Sequence, residues 1–95
     1  MPQFITRIEL HGARGEDYIR LHSVMENRGF SRKILGGDGM YYLLPTAEYI
    51  RSGSSLTPEK VRGDAQGAAS TVSANFAVLV AEATGKIMWL GLGRA

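Results

Sequence analysis

The chain has 95 residues, with 11 Lys and Arg against 9 Asp and Glu and no cysteine, which makes it one domain; so small a domain buries only roughly 60–65% of its unfolded surface and gains from association. The absent cysteines exclude a disulfide framework, a cysteine-based zinc site and a thiol nucleophile. A net charge of +2 is too small to argue nucleic-acid binding without a local cluster, and no apolar run approaches the ~18 residues of a membrane span.

The start, MPQFITRIELHG, lacks the charged opening and long apolar core of a signal peptide, so a cytoplasmic protein is expected. From Gln3 to His11, Phe4, Thr6, Ile8 and Leu10 alternate with Ile5, Arg7, Glu9 and His11, the period of a strand with one mostly apolar face. Glu16 and Asp17 then open a helix, where negative charge meets the positive end of its dipole. Tyr18, Leu21 and Met25, flanked by Val24, form its buried stripe, with Arg20, Ser23 and Asn27 opposite. Gly29 is the stop, and Arg28 supplies a cation to the last turn.

Phe30 to Leu35 reads as an edge strand in which Arg32 shares a face with Phe30 and Ile34, its head free to reach water over the rim. Gly36-Gly37-Asp38-Gly39 is a hairpin turn. Met40 to Leu44 is apolar on both faces, which predicts a central strand ending at Pro45. Thr46 to Ser55 reads as a polar surface loop tacked down by Tyr49 and Ile50.

A second helix starts with Thr57 as N-cap, Pro58 and Glu59, with Leu56 and Val61 placed for a staple. Val61, Ala65, Ala68 and Val72 give it a narrow stripe, and Gly63 and Gly67 each weaken it by about 1 kcal/mol relative to Ala. Asn75 to Glu82 is a strand apolar on both sides. After the Thr84-Gly85 turn, Ile87 to Leu90 reads as a short fifth strand carrying Trp89.

The order β, α, β, β, α, β plus a terminal strand predicts an α+β, ferredoxin-like βαββαβ sandwich, an antiparallel sheet with both helices on one face. The opposite face then carries Ile5, Arg7, Glu9, His11, Tyr41, Leu43, Ala77, Leu79 and Ala81. With only Tyr41 aromatic at a base-stacking position, it suits an RNA platform less than a homodimer interface built from Ile5, Tyr41, Leu43, Leu79 and Trp89. Partial coverage by the fifth strand and the tail is the remaining reading.

No metalloprotease, phosphate-loop, nucleophile-elbow or dinucleotide motif is present. His11 and His22 are the side chains that titrate near neutrality, so acid or base work falls to them first. Either one also suits a structural role: His22 as a ring packed on the shoulder of its helix, His11 with Glu9 as a solvated strand end. Two ligands, Glu9 and His11, are too few for a dedicated metal site. Arg28, Arg32 and Lys33 form a basic patch able to meet phosphates, or simply a solvated surface.

At RLHSVMENRGFSR (20–32), with FITRIELHG (4–12) before it and MYYLLPTAEY (40–49) after it, the chain resembles the GhoS family of endoribonuclease antitoxins of type V toxin-antitoxin systems. The resemblance implies a ferredoxin-like fold, similar to that of small CRISPR-associated adaptation nucleases. It also implies cleavage of single-stranded mRNA without cofactor or metal; independently of it, no DNA or membrane partner is expected. The family's Arg-Leu-Arg-Ser run falls on Arg20, Leu21, His22 and Ser23, so His stands where the family has its second Arg. The family's third-strand aromatic falls on Tyr42. The resemblance thus nominates His22 and Arg20 as catalytic, with Arg28, Arg32 and Lys33 for RNA binding. A non-catalytic dimeric binding or regulatory protein of the same fold is the alternative.

Overall fold

The computed structural model describes residues 2–95, whose elements in chain order are β1 (Gln3–Leu10), α1 (Gly15–Glu26), β2 (Lys33–Leu35), β3 (Tyr41–Leu43), β4 (Glu48–Ser52), α2 (Pro58–Ser70) and β5 (Phe76–Ala83). This is a small α+β architecture: an antiparallel sheet in the order β4-β1-β5, a separate β2-β3 hairpin, and two helices. The alternation along β1 holds, with Phe4, Thr6, Ile8 and Leu10 all buried. They form the main core with Leu21 and Met25 of α1, Phe30, Tyr49, and Val61, Ala65, Ala68 and Ala69 of α2.

Local chemistry fixes the helix ends. The Asp17 carboxylate accepts from the Arg14 backbone N–H at 3.0 Å, and Tyr18 Oη accepts from the Leu10 N–H at 2.9 Å, tying the start of α1 to the end of β1. At the other end Gly29 takes φ +89°, which lets the Phe30 N–H return to the Met25 carbonyl at 3.1 Å. Arg28 does not serve its own helix end. Its guanidinium crosses to α2 and donates to the Asp64 carbonyl at 3.3 Å, beside Gly67, where a Cβ would collide with it. Thr57 Oγ1 caps α2 by accepting from the Lys60 N–H at 3.1 Å. Val72 falls beyond the end of α2, and Ala69 takes its place in the buried stripe.

Gly63 is different from Gly67, because nothing lies within 4 Å of where its Cβ would stand. Gly63→Ala is therefore expected to stabilise the fold by about 1 kcal/mol through helix propensity alone, read as a higher urea midpoint at unchanged slope.

Two strand expectations are corrected. The segment expected to be a surface loop contains β4, which pairs with β1 from Gln3↔Ser52 to Arg7↔Glu48, so β4 and not Met40–Leu44 takes the place beside β1. The chain breaks between β3 and β4 at Pro45 and at Ala47, whose φ of +82° turns its carbonyl toward the Ile8 N–H at 2.9 Å. Tyr41 and Leu43 accordingly stay exposed. The turn at 36–39 behaves as expected: Asp38 accepts from the Met40 N–H at 3.0 Å and from Tyr42 Oη at 2.5 Å, and Gly39 takes φ +81°. The hairpin connects to the sheet through Ser31 and Ile50, which exchange two backbone hydrogen bonds of 2.8 Å.

The second correction concerns the end of the chain. Ile87–Leu90 forms no strand; the tail crosses instead to the hairpin, where Arg94 bridges Tyr42, the Leu43 N–H donates to the Gly93 carbonyl at 2.8 Å and the Ala95 N–H to the Tyr41 carbonyl at 3.1 Å. Ile87, Trp89 and Leu92 cover a second core cluster of Ile34, Leu44 and Ile50, joined by Ile5 and Tyr42. The sheet face expected to be open is thus partly roofed. Among the described residues no helix is long and apolar enough to cross a membrane.

Candidate functional site

His22 follows the buried Leu21 on α1, which turns its ring inward along the edge of the core. There it meets Tyr49, brought by β4, with Nδ1 2.6 Å from Oη and the rings edge to face at 5.7 Å. Tyr49 is completely buried. Burial raises its phenol far above the ordinary range, against the opposing pull of the Arg32 charge, so the hydroxyl keeps its proton. Burial also lowers the pKa of His22, helped by Arg32 and opposed by Glu26.

These directions favour one arrangement of protons in the pair. A protonated phenol whose one partner is Nδ1 donates to it, so the neutral imidazole carries its own proton on Nε2. Among the described residues Nε2 has no hydrogen-bond partner, and it is not one of the buried unpartnered atoms; the His22 residue as a whole is half-buried. The pair presents one imidazole N–H donor, oriented from behind by a buried hydroxyl. The Arg32 charge pulls the pKa of both groups down, and among the described residues its Nε is buried without a partner.

The other nominated residues lie elsewhere. Arg20 stands two positions from His22, about 200° around the helix, and its guanidinium is paired with Asp17 at 2.7 Å. The Arg14 backbone N–H and Arg20 together hold the Asp17 carboxyl below its usual range. Arg28 is engaged with α2, and Lys33 is exposed on β2. Of the three basic residues read as a patch, Arg32 alone acts on the His22 pKa through its charge. His11 and Glu9 pair with each other at 3.2 Å on the exposed end of β1, and among the described residues no three His, Cys, Asp or Glu side chains converge. Of the five residues assigned to an interface, Ile5 and Trp89 pack in the second cluster, Trp89 at 5.6 Å from Tyr42, while Tyr41, Leu43 and Leu79 are exposed.

Two residues to which the sequence assigned no functional role matter here. Tyr49 orients His22. Arg51, also on β4, donates to Asp64 at 2.7 Å and lies over the Phe30 ring at 5.1 Å, riveting the sheet to α2. Arg51 and then Lys60 hold the Asp64 carboxyl below its usual range. The signal available in TAEYIRS was its aromatic and β-branched pair Tyr49-Ile50, a strand composition outweighed by the Gly/Ser run after it. Set against protein-family models, curated proteins and solved structures, the chain matches none.

Proposed function

We propose that this chain is a small endoribonuclease of the GhoS-like kind, acting on single-stranded RNA without a metal, with His22 at its centre. The observation that carries this reading is the 2.6 Å contact between His22 Nδ1 and the buried Tyr49 hydroxyl, with the Arg32 charge acting on both rings. A phosphodiester suits such a site. Nε2–H and the Arg32 guanidinium would both donate to phosphate oxygens as a neighbouring 2′-hydroxyl attacks phosphorus and gives its proton to water; the P–O5′ bond breaks, leaving a 2′,3′-cyclic phosphate and a 5′-hydroxyl whose oxygen takes up a proton from water. The fold reading that goes with it is ferredoxin-like. Its support is the Ser31–Ile50 bridge, which sets the edge segment beside β4 and yields the lateral order expected of a split βαβ sheet, with the third strand broken at Pro45–Ala47.

One observation favours a second reading, a non-catalytic RNA-binding module. The tautomer held by Tyr49 puts a proton on Nε2, which makes His22 a donor and leaves base catalysis without a group. A single experiment separates the two. Purified protein is incubated with labelled single-stranded RNA in EDTA, and binding and cleavage are followed together. Cleavage that falls about 100-fold or more in His22→Ala and in Arg32→Met, with binding weakened mainly in Arg32→Met, fits the enzyme. Binding without cleavage in the wild type leaves the module. Equal cleavage by wild type and both variants removes the site altogether.

A further inference from the structure

β5 is an edge of the sheet: it pairs with β1 from Gln3↔Ala83 to Leu10↔Phe76 and, among the described residues, with no other strand. Edges of this kind are usually blunted by charge, proline or a bulge. Here the strand reads FAVLVAEA, eight residues with Glu82 as its one charge. Its helix-covered side is also unfinished. On β1 the residues of that face, Phe4, Ile8 and Leu10, are fully buried, whereas Phe76, Val78 and Val80 of β5 are only half-buried because their outer flank is open. On the other face Leu79 is 66% exposed.

The backbone phase of the edge follows from β1. The His11 N–H donates to the Asn75 carbonyl at 3.0 Å, so the odd-numbered residues of β5 turn their polar groups inward to β1. Phe76, Val78, Val80 and Glu82 therefore point theirs outward, unpaired. The segment Ala77-Val78-Leu79-Val80-Ala81 reads the same in both directions. A palindromic strand laid antiparallel against its own copy, with a two-fold axis at Leu79, sets Leu79 against Leu79, Val78 against Val80 and Ala77 against Ala81. Paired residues then share a face, and the outward-pointing groups become the hydrogen-bonded pairs. Glu82 meets Phe76, so no like charges face each other.

We infer that β5 is a self-pairing edge, and that two copies of this chain join through it, Leu79 to Leu79, into one continuous six-stranded antiparallel sheet in the order β4-β1-β5-β5-β1-β4. Eight backbone hydrogen bonds result, from the two Val78·Val80 pairs and the two Phe76·Glu82 pairs, and the open flanks of Phe76, Val78 and Val80 are closed. This interface is independent of the RNA reading and of the face carrying Tyr41 and Leu43.

The absence of cysteine in the natural chain makes a clean test possible. At the two-fold, Leu79 is a non-hydrogen-bonded pair with a Cα separation near 4.5 Å, inside the disulfide range. Ala77 would lie roughly 14 Å from its own copy, given ~3.4 Å per residue. Under mild oxidation Leu79→Cys should cross-link, Ala77→Cys and Ala81→Cys should not, and the double variant Ala77→Cys/Ala81→Cys should. Leu90→Cys, at a position 99% exposed, measures random collision, and Leu79→Cys is expected to exceed its rate at least about tenfold. Circular dichroism verifies that each variant is folded. A wild-type monomer by sedimentation equilibrium at several hundred micromolar, or Leu79→Cys and Leu90→Cys linking at equal rates, overturns the proposal. Cross-linking abolished by Leu43→Lys in the Leu79→Cys background would assign the contact to the hairpin face and overturn it equally.

Discussion

Tyr49→Ala is expected to destabilise the protein by about 3–5 kcal/mol, the range for deleting a large buried aromatic. Tyr49 is the largest of the fully buried side chains and belongs to the main core cluster, which includes residues of both helices. A domain of this size has a total stability of about 5–14 kcal/mol, so the variant should be partly unfolded near 37 °C. Tyr49→Phe separates packing from polarity. It keeps the ring and removes one hydroxyl, at a cost of about 1 kcal/mol, and frees Nδ1 of His22. In the wild type, nitrogen chemical shifts should report His22 as the Nε2–H tautomer; in Tyr49→Phe the two tautomers should mix. A pure Nε2–H tautomer in both would show that Tyr49 does not orient the ring. The pH dependence has a definite sign. Because folding lowers the His22 pKa, the unfolded chain binds more protons below the ordinary histidine value of about 6.5. Stability is then full above that value and declines as pH falls from it toward the folded-state pKa. His22→Gln should flatten that part of the profile.

Much of this arrangement was legible beforehand, and the parts that were not have a common cause. Period-two alternation in β1 identified Phe4, Ile8 and Leu10 as core because a strand covered on one face leaves that mark. The caps of both helices were readable for the same reason: Asp17, Gly29, Thr57 and Pro58 act within one turn of the chain. What failed depended on the chain meeting itself at a distance. Met40–Leu44 and Glu48–Ser52 compete for the place beside β1, and the choice falls on the second because Ala47 takes a positive φ that no local pattern in an alanine announces. That choice buries Tyr49 under His22. Pairwise proximity of His22 and Arg32 therefore followed from a register that composition does not encode, whereas Arg20, two residues away in sequence, was carried to the far side by helical geometry.

The tail is where this long-range logic has its largest testable consequence. Ending the chain after Gly85 should cost about 3 kcal/mol, taking Ile87, Trp89 and Leu92 as three roughly half-buried side chains at 1.5–3 kcal/mol each when fully buried. The loss should be local. The main core lies under the helices on the other face of the sheet and shares no residue with the cluster of Ile34, Leu44 and Ile50. Hydrogen exchange should thus accelerate at Ile34, Tyr42 and Leu43, whose hairpin loses its roof and its bonds to Gly93 and Ala95, while Ile8 and Leu21 keep their protection. Met88→Gln and Leu90→Ser make the contrast: at 82% and 99% exposed they cover nothing and should change stability by less than about 0.5 kcal/mol. Uniform acceleration across both cores would mean that the two clusters unfold as one unit, and that the hairpin is integral to the sheet rather than held against it by the last ten residues.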